Sequence, residues 1–132
     1  MPSTKKPSAA KKTAGKVKQV IGTRVKITLD DSTGNEKLTL ETPTGQTITL
    51  SSARGTVEIA DSHGNSIKLE PGGVTIRAAS KVTVNATELK VSAGTLVIDA
   101  GVSKFNGVVQ CDTLISNSVI SSSYTPGAGN IL

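Results

Sequence analysis

Between Gly72 and Gly101 the chain reads GGVTIRAASKVTVNATELKVSAGTLVIDAG, with aliphatic and polar residues alternating and small residues interrupting every seven or eight positions. Alternation at a period of two makes short strands with one apolar face. No segment from 25 to 125 keeps apolar residues at three-and-four spacing, so no amphipathic helix is on offer to cover those faces. The large side chains that usually anchor a globular core are nearly absent: one Phe, one Tyr and no Trp. Any fold of this chain must therefore find another lid for its aliphatic stripes.

The same alternation starts earlier, at a slower rhythm. Val25/Ile27/Leu29, Leu38/Leu40, Ile48/Leu50, Val57/Ile59 and Ile67/Leu69 are apolar pairs whose centres fall about ten residues apart. DDSTGNE, TPTGQ, SARGT and DSHGN lie between them, each with a glycine able to adopt positive φ. That pattern predicts antiparallel hairpins in sequence order. Beyond Gly72 the groups become Val74/Ile76/Ala78, Val82/Val84/Ala86, Leu89/Val91/Ala93 and Leu96/Ile98/Ala100, each tapering from two aliphatics to an alanine. Repetition at so short a period points to an elongated, repetitive β architecture. In the last stretch Val109, Leu114, Val119 and Tyr124 stand five apart, an interval open between another narrow β-coil and a coincidence over four positions.

These rhythms divide the chain into a basic flexible tail or linker over 1–23, a β-meander over 24–71, a tighter β-coil over 72–102 and a tip region over 103–132. Hairpin patterning itself is readable from residue 17. The tail accounts for the sign of the net charge. Of the 15 Lys and Arg, eight lie before residue 27 with no acidic residue among them, and the remainder carries ten acidic residues against seven basic ones. Residues 1–16, MPSTKKPSAAKKTAGK, hold too little apolar surface to offset the entropy of ordering and are expected to be disordered. No apolar run follows the N-terminal lysines as in a secretory signal, and none approaches a membrane span.

Chemistry-bearing residues are sparse and scattered. Cys111 is the one cysteine, so no intrachain disulfide framework exists, and it reads as a small residue buried in β-structure. His63 is the one histidine and sits in the turn DSHGN. Asp30, Asp31 and Glu36 share a hairpin loop and read as solvated rather than as a calcium site. Glu58, Glu70, Glu88 and Asp99 are spread one per strand, as surface charges are. The expectation is a non-enzymatic protein without cofactor or metal.

Winding three copies about one axis supplies the missing lid. Val74, Ile76, Ala78, Val82, Val84, Ala86, Leu89, Val91, Ala93, Leu96, Ile98 and Ala100 would then face inward, with the alanines where the cross-section is narrowest. Neighbouring chains would close the strand edges. The fold class expected is all-β: a short antiparallel β-meander leading into an intertwined triple-stranded β-helix, a trimeric needle, behind a disordered basic tail.

The successive elements KITLDD, LTLETPTGQTITL, VEIADSHGNSIKLE, GGVTIRAASKVTVNA and YTPGAGNI resemble the C-terminal part of spike proteins from contractile injection systems. These are the phage-type baseplate assembly protein V and the related VgrG proteins, and the resemblance covers about residues 24–132. It implies a homotrimeric, membrane-puncturing needle at the centre of a phage tail baseplate or injection particle, assembled in the cytoplasm and delivered to a target envelope. Implied partners are the baseplate hub and tail tube proteins, which such spikes join through upstream domains, and a PAAR-type tip protein. The last follows because the His-x-His pair with which some spikes bind iron does not occur here. Two readings from other classes stay open at this point: a trimeric tail fibre or adhesin tip, and a nucleic-acid-binding protein using the basic N-terminal arm. With one Phe and one Tyr for stacking, and no groove-reading motif beside the lysines, nucleic acid is the less expected partner.

Overall fold

Five-residue strands separated by glycine-bearing turns have one inexpensive arrangement, which is to pair each with the next. The computed structural model, which describes residues 17–125, adopts it. Seven strands form one antiparallel sheet in sequence order: β1 (Val17–Ile21), β2 (Lys26–Asp30), β3 (Lys37–Glu41), β4 (Thr47–Ser51), β5 (Thr56–Ala60), β6 (Ser66–Glu70) and β7 (Gly73–Arg77). No helix occurs among the described residues. The all-β meander is thus the fold of the first part of the chain.

Its limits differ from the sequence expectation at both ends. β1 lies inside the stretch assigned to the tail, pairing Val17 with Asp30 and Ile21 with Lys26, so the sheet is already under way at Val17. At the other end the meander does not stop at residue 71. Pro71 and Gly72 make a two-residue turn, Glu70 pairs with Gly73, and β7 continues the sheet to Arg77. Val74 and Ile76, expected to open the coil, belong to this last hairpin. The disorder expected for residues 1–16 lies outside the described residues.

Turns along one edge of the sheet stack on one another. In TPTGQ, Gly45 N–H donates to Thr42 O at 3.0 Å and Thr42 N–H to Gln46 O at 3.0 Å. DSHGN repeats the closure nineteen residues on, with Asp61 N–H donating to Asn65 O at 3.1 Å. Gly45 has φ +93, and a Cβ built there would stand 3.0 Å from Ser62 Cβ. Glycine is thus required at Gly45 twice over, by the left-handed backbone and by the neighbouring turn. Asn65 then reaches past its own turn, its Oδ1 accepting from Ala79 N–H at 2.9 Å where the chain leaves β7.

The chain divides into two compact units, 1–87 and 88–132. Within the second, the described residues form no strand; the backbone has only bends, set at intervals.

Candidate trimer interface

Alternation places every second strand residue on one face, and the register decides which of these become neighbours. Here it joins them into two unbroken rows. Ile27, Leu40, Ile48, Ile59, Ile67 and Ile76 are consecutive cross-strand partners through β2 to β7. Leu29, Leu38, Leu50, Val57, Leu69 and Val74 form the second row beside them. Between the rows, on the opposite face, run Thr28, Thr39, Thr49, Glu58, Lys68 and Thr75. One side of the sheet is wholly aliphatic at its centre and the other wholly polar.

The polar face carries ion pairs both across strands and along one strand. Lys26 Nζ lies 3.3 Å from Glu41 Oε2, Lys68 Nζ lies 3.1 Å from Glu70 Oε2, and Glu58 stands opposite Lys68 in the register. Such exposed pairs contribute little to stability, about 0–1 kcal/mol each.

Among the described residues nothing covers the aliphatic face. Among the described residues no side chain, apolar or polar, is buried. Leu29, Ile48, Leu50, Ile59, Ile67 and Leu69 are 40–48% exposed, covered only by their neighbours in the same sheet. Leu29, Leu38, Leu50 and Val57 line an open trough of about 430 Å³ on this side. A single sheet with one bare aliphatic face lacks the second layer that stable domains have.

The twelve residues expected to face inward are placed unevenly. Val74 and Ile76 extend the two rows, next to Leu69 and Ile67. Ala78, just past β7, is half-buried. The other nine are brought into no cluster within the chain: Val82, Val84, Leu89, Val91, Leu96 and Ile98 are 58–69% exposed, and Ala86, Ala93 and Ala100 are exposed too. The ten row residues of β2 to β6 are as much a part of the apolar surface, and their signal was the same alternation. Cys111, expected to be buried, is exposed in the single chain.

The polar candidates are absorbed by turns. Asp61 Oδ1 accepts from His63 N–H at 2.8 Å and Asn65 N–H at 2.9 Å, and Oδ2 accepts from Asn65 Nδ2 at 2.8 Å. Led by the Asn65 side chain, these donors hold the Asp61 carboxyl down at about 2. Asp30 takes the Ser32 hydroxyl and N–H, the hydroxyl being the larger reason that its carboxyl lies below the ordinary range. Glu36 is lowered likewise by backbone N–H groups, its own first and then that of Gly34, which lies 3.2 Å away. These carboxylates are the fastenings of hairpin loops, and among the described residues no three of His, Cys, Asp or Glu gather as metal ligands would.

A sheet with balanced charges outside and bare aliphatic rows inside defines a structural β-domain completed by self-association. The comparison with known families agrees: the phage baseplate V C-terminal trimerisation domain matches over residues 18–76 and again over 37–97. The chain belongs to this family, and with it comes a structural role in the phage baseplate as a trimer-forming component of the tail. The two matches overlap with an offset of about two strands, as expected if the hairpin is the repeating unit of the sheet. No curated protein matches the chain.

Proposed function

We propose that three copies of this chain wind about a common axis into the central spike of a phage baseplate, which pierces the target envelope mechanically when the tail drives it forward. The observation that carries this reading is the pair of unbroken aliphatic rows, none enclosed, in a chain of a trimerisation family. Val74, Ile76, Ala78, Val82, Val84, Ala86, Leu89, Val91, Ala93, Leu96, Ile98 and Ala100 line the axis, the first two as the last members of the rows. Each aliphatic side chain that passes from half-exposed to enclosed adds about 1 kcal/mol per chain. Stiffness comes from continuous backbone bonding around a dry interior, and the Thr, Ser, Lys and Glu of the outer face keep the surface wet.

Its partners in this role are the hub and tail tube proteins at one end and a PAAR-type tip protein at the other. The role asks no nucleophile, base or metal of the chain. Two measurements test it. Sedimentation equilibrium gives a trimer mass at micromolar concentration, and a persistent monomer overturns the assembly. Particles of the parent phage with Val84→Asp in this chain lose delivery through the envelope; delivery at the wild-type level overturns the piercing role.

A further inference from the structure

The five-residue interval near the end of the chain acquires a cause once the bends of the backbone are located. From the end of β7 the chain bends at residues 80, 87, 94 and 101, seven apart, and then at 107, 112, 117 and 122, five apart. Counting from each bend, the second residue is Val82, Leu89 and Leu96 in the first series and Val109, Leu114, Val119 and Tyr124 in the second. Only Ser103, after the bend at 101, breaks the rule. The phase of the aliphatic residue thus survives the change of period.

Exposure separates the same residues into two classes. Those at the second position are 58–71% exposed in the single chain, whereas Val97, Val102, Val108, Ile115 and Ile120, at other positions, are 79–99% exposed. Ile115 and Ile120, next to Leu114 and Val119, are the more exposed member of each pair. Val119 and Tyr124, with Ser121, border a concavity of about 350 Å³. The fourth position also changes with the period. It holds Val84, Val91 and Ile98 in the seven-residue series but Cys111, Ser116 and Ser121 in the five-residue one. Ser116 Oγ donates to Ser118 O at 2.6 Å, and Ser121 Oγ does the same to Ser123 O across the next bend. These hydroxyls are satisfied within their own turn, so the small side chain can approach an apolar axis without an orphaned polar group.

We infer that the trimer continues past the family match as a narrower coil over 107–125, three copies of this chain meeting at Val109, Leu114, Val119 and Tyr124. This rests on the trimeric reading above and adds a second register to it. Continuity argues for further copies of the chain as the occupant. The trimerisation match runs to residue 97, through two complete seven-residue turns, and the second-position residue keeps its phase from there to 124. Each turn is two residues shorter, which removes about 7 Å of path. The interior loses one aliphatic residue per chain per turn to match. The spike therefore tapers where the period changes, between residues 101 and 107.

Cysteine cross-linking of the full chain tests both registers at once. Because Cys111 is the one native cysteine, single cysteines are placed in a Cys111→Ser background at Val84, Leu114, Val119 and Ile120. A disulfide needs Cα atoms within about 7 Å, which positions around a narrow axis meet and outward ones do not. Under mild oxidation Val84→Cys, Leu114→Cys and Val119→Cys link two chains of each trimer, and Ile120→Cys stays uncrosslinked. Linkage at Val84→Cys with none at either Leu114→Cys or Val119→Cys overturns the narrow coil and leaves the proximal trimer standing. Linkage of Ile120→Cys as efficiently as Val119→Cys overturns the register. No linkage at Val84→Cys removes the trimeric reading, and this inference with it.

Discussion

The sheet of residues 17–77 and the extended run of 88–125 use the same residues, Val, Ile, Leu, Thr and Ser in alternation, yet differ in what one chain can complete. In the sheet each strand finds its partner ten residues away, so backbone donors and acceptors are paired within the chain and only one face is left bare. In the run no strand forms among the described residues, and its large apolar side chains are 61–99% exposed, whereas none in the rows from β2 to β6 exceeds 48%. The difference lies in whether the turns reverse the chain. Loops of four or five residues, such as TPTGQ and DSHGN, reverse the chain, whereas a bend every five to seven residues only redirects it. A chain that cannot return on itself must take its backbone partners from other copies.

That contrast is most sharply tested at Val84. With Val84 on the proposed trimer axis, Val84→Asp brings three carboxylates together there, at a cost of several kcal/mol per uncompensated buried charge. Trimer is lost in sedimentation, and hydrogen exchange speeds up more over 88–125 than in β3 to β5, whose ladders are internal to one chain. Equal loss of protection in both regions would show that the sheet, too, depends on its copies.

A second pair of substitutions acts on the turns that only the sheet possesses. Gly45→Ala forces an L-residue to φ +93 and sets its Cβ 3.0 Å from Ser62 Cβ. Gly34→Ala pays for φ +86 alone, with open space around it. The left-handed conformation costs about 1–2 kcal/mol. Gly45→Ala lowers the melting temperature by more than Gly34→Ala, and a reversed order would remove the close approach of successive turns from the account.

Acid acts on the same edge more weakly. Asp61 is held at about 2 against an ordinary 3.8, so the folded turn favours the carboxylate. Its contribution is complete above about pH 4 and disappears as the pH falls through about 2. The melting-temperature gap between wild type and Asp61→Ala narrows over that interval; a gap constant down to pH 2 would show that the Asn65 and His63 donors do not hold the carboxylate. The smallest effect belongs to the polar face. Thr49→Val, in the centre of the threonine row, changes stability by no more than about 0.5 kcal/mol. A larger loss in the melting curve would mean that this face, too, is covered in the assembly.

Most of the sheet could be read directly. Ile27/Leu29, Leu38/Leu40, Ile48/Leu50, Val57/Ile59 and Ile67/Leu69 are strand pairs in the sequence and the members of the two rows in the structure. The end of the sheet was not legible, because Val74 and Ile76 fit a last hairpin strand and a first coil turn equally well. Pro71 and Gly72 resolve it by reversing the chain, where the bend near residue 80 does not. The five-residue spacing was visible too, but four positions alone left it open between a narrow β-coil and coincidence. Only the backbone path ties it to the seven-residue series through the shared second position after each bend.

Alternation and turn chemistry act within ten residues, and so the order of residues alone determined the strands, their hairpins and the existence of one unsatisfied aliphatic face. Register across six hairpins is a cumulative property, since a slip of one residue at any turn would send a whole strand to the other face. That each row runs unbroken from β2 to β7, and that the second-position phase survives the change of period, was decided by the tertiary structure.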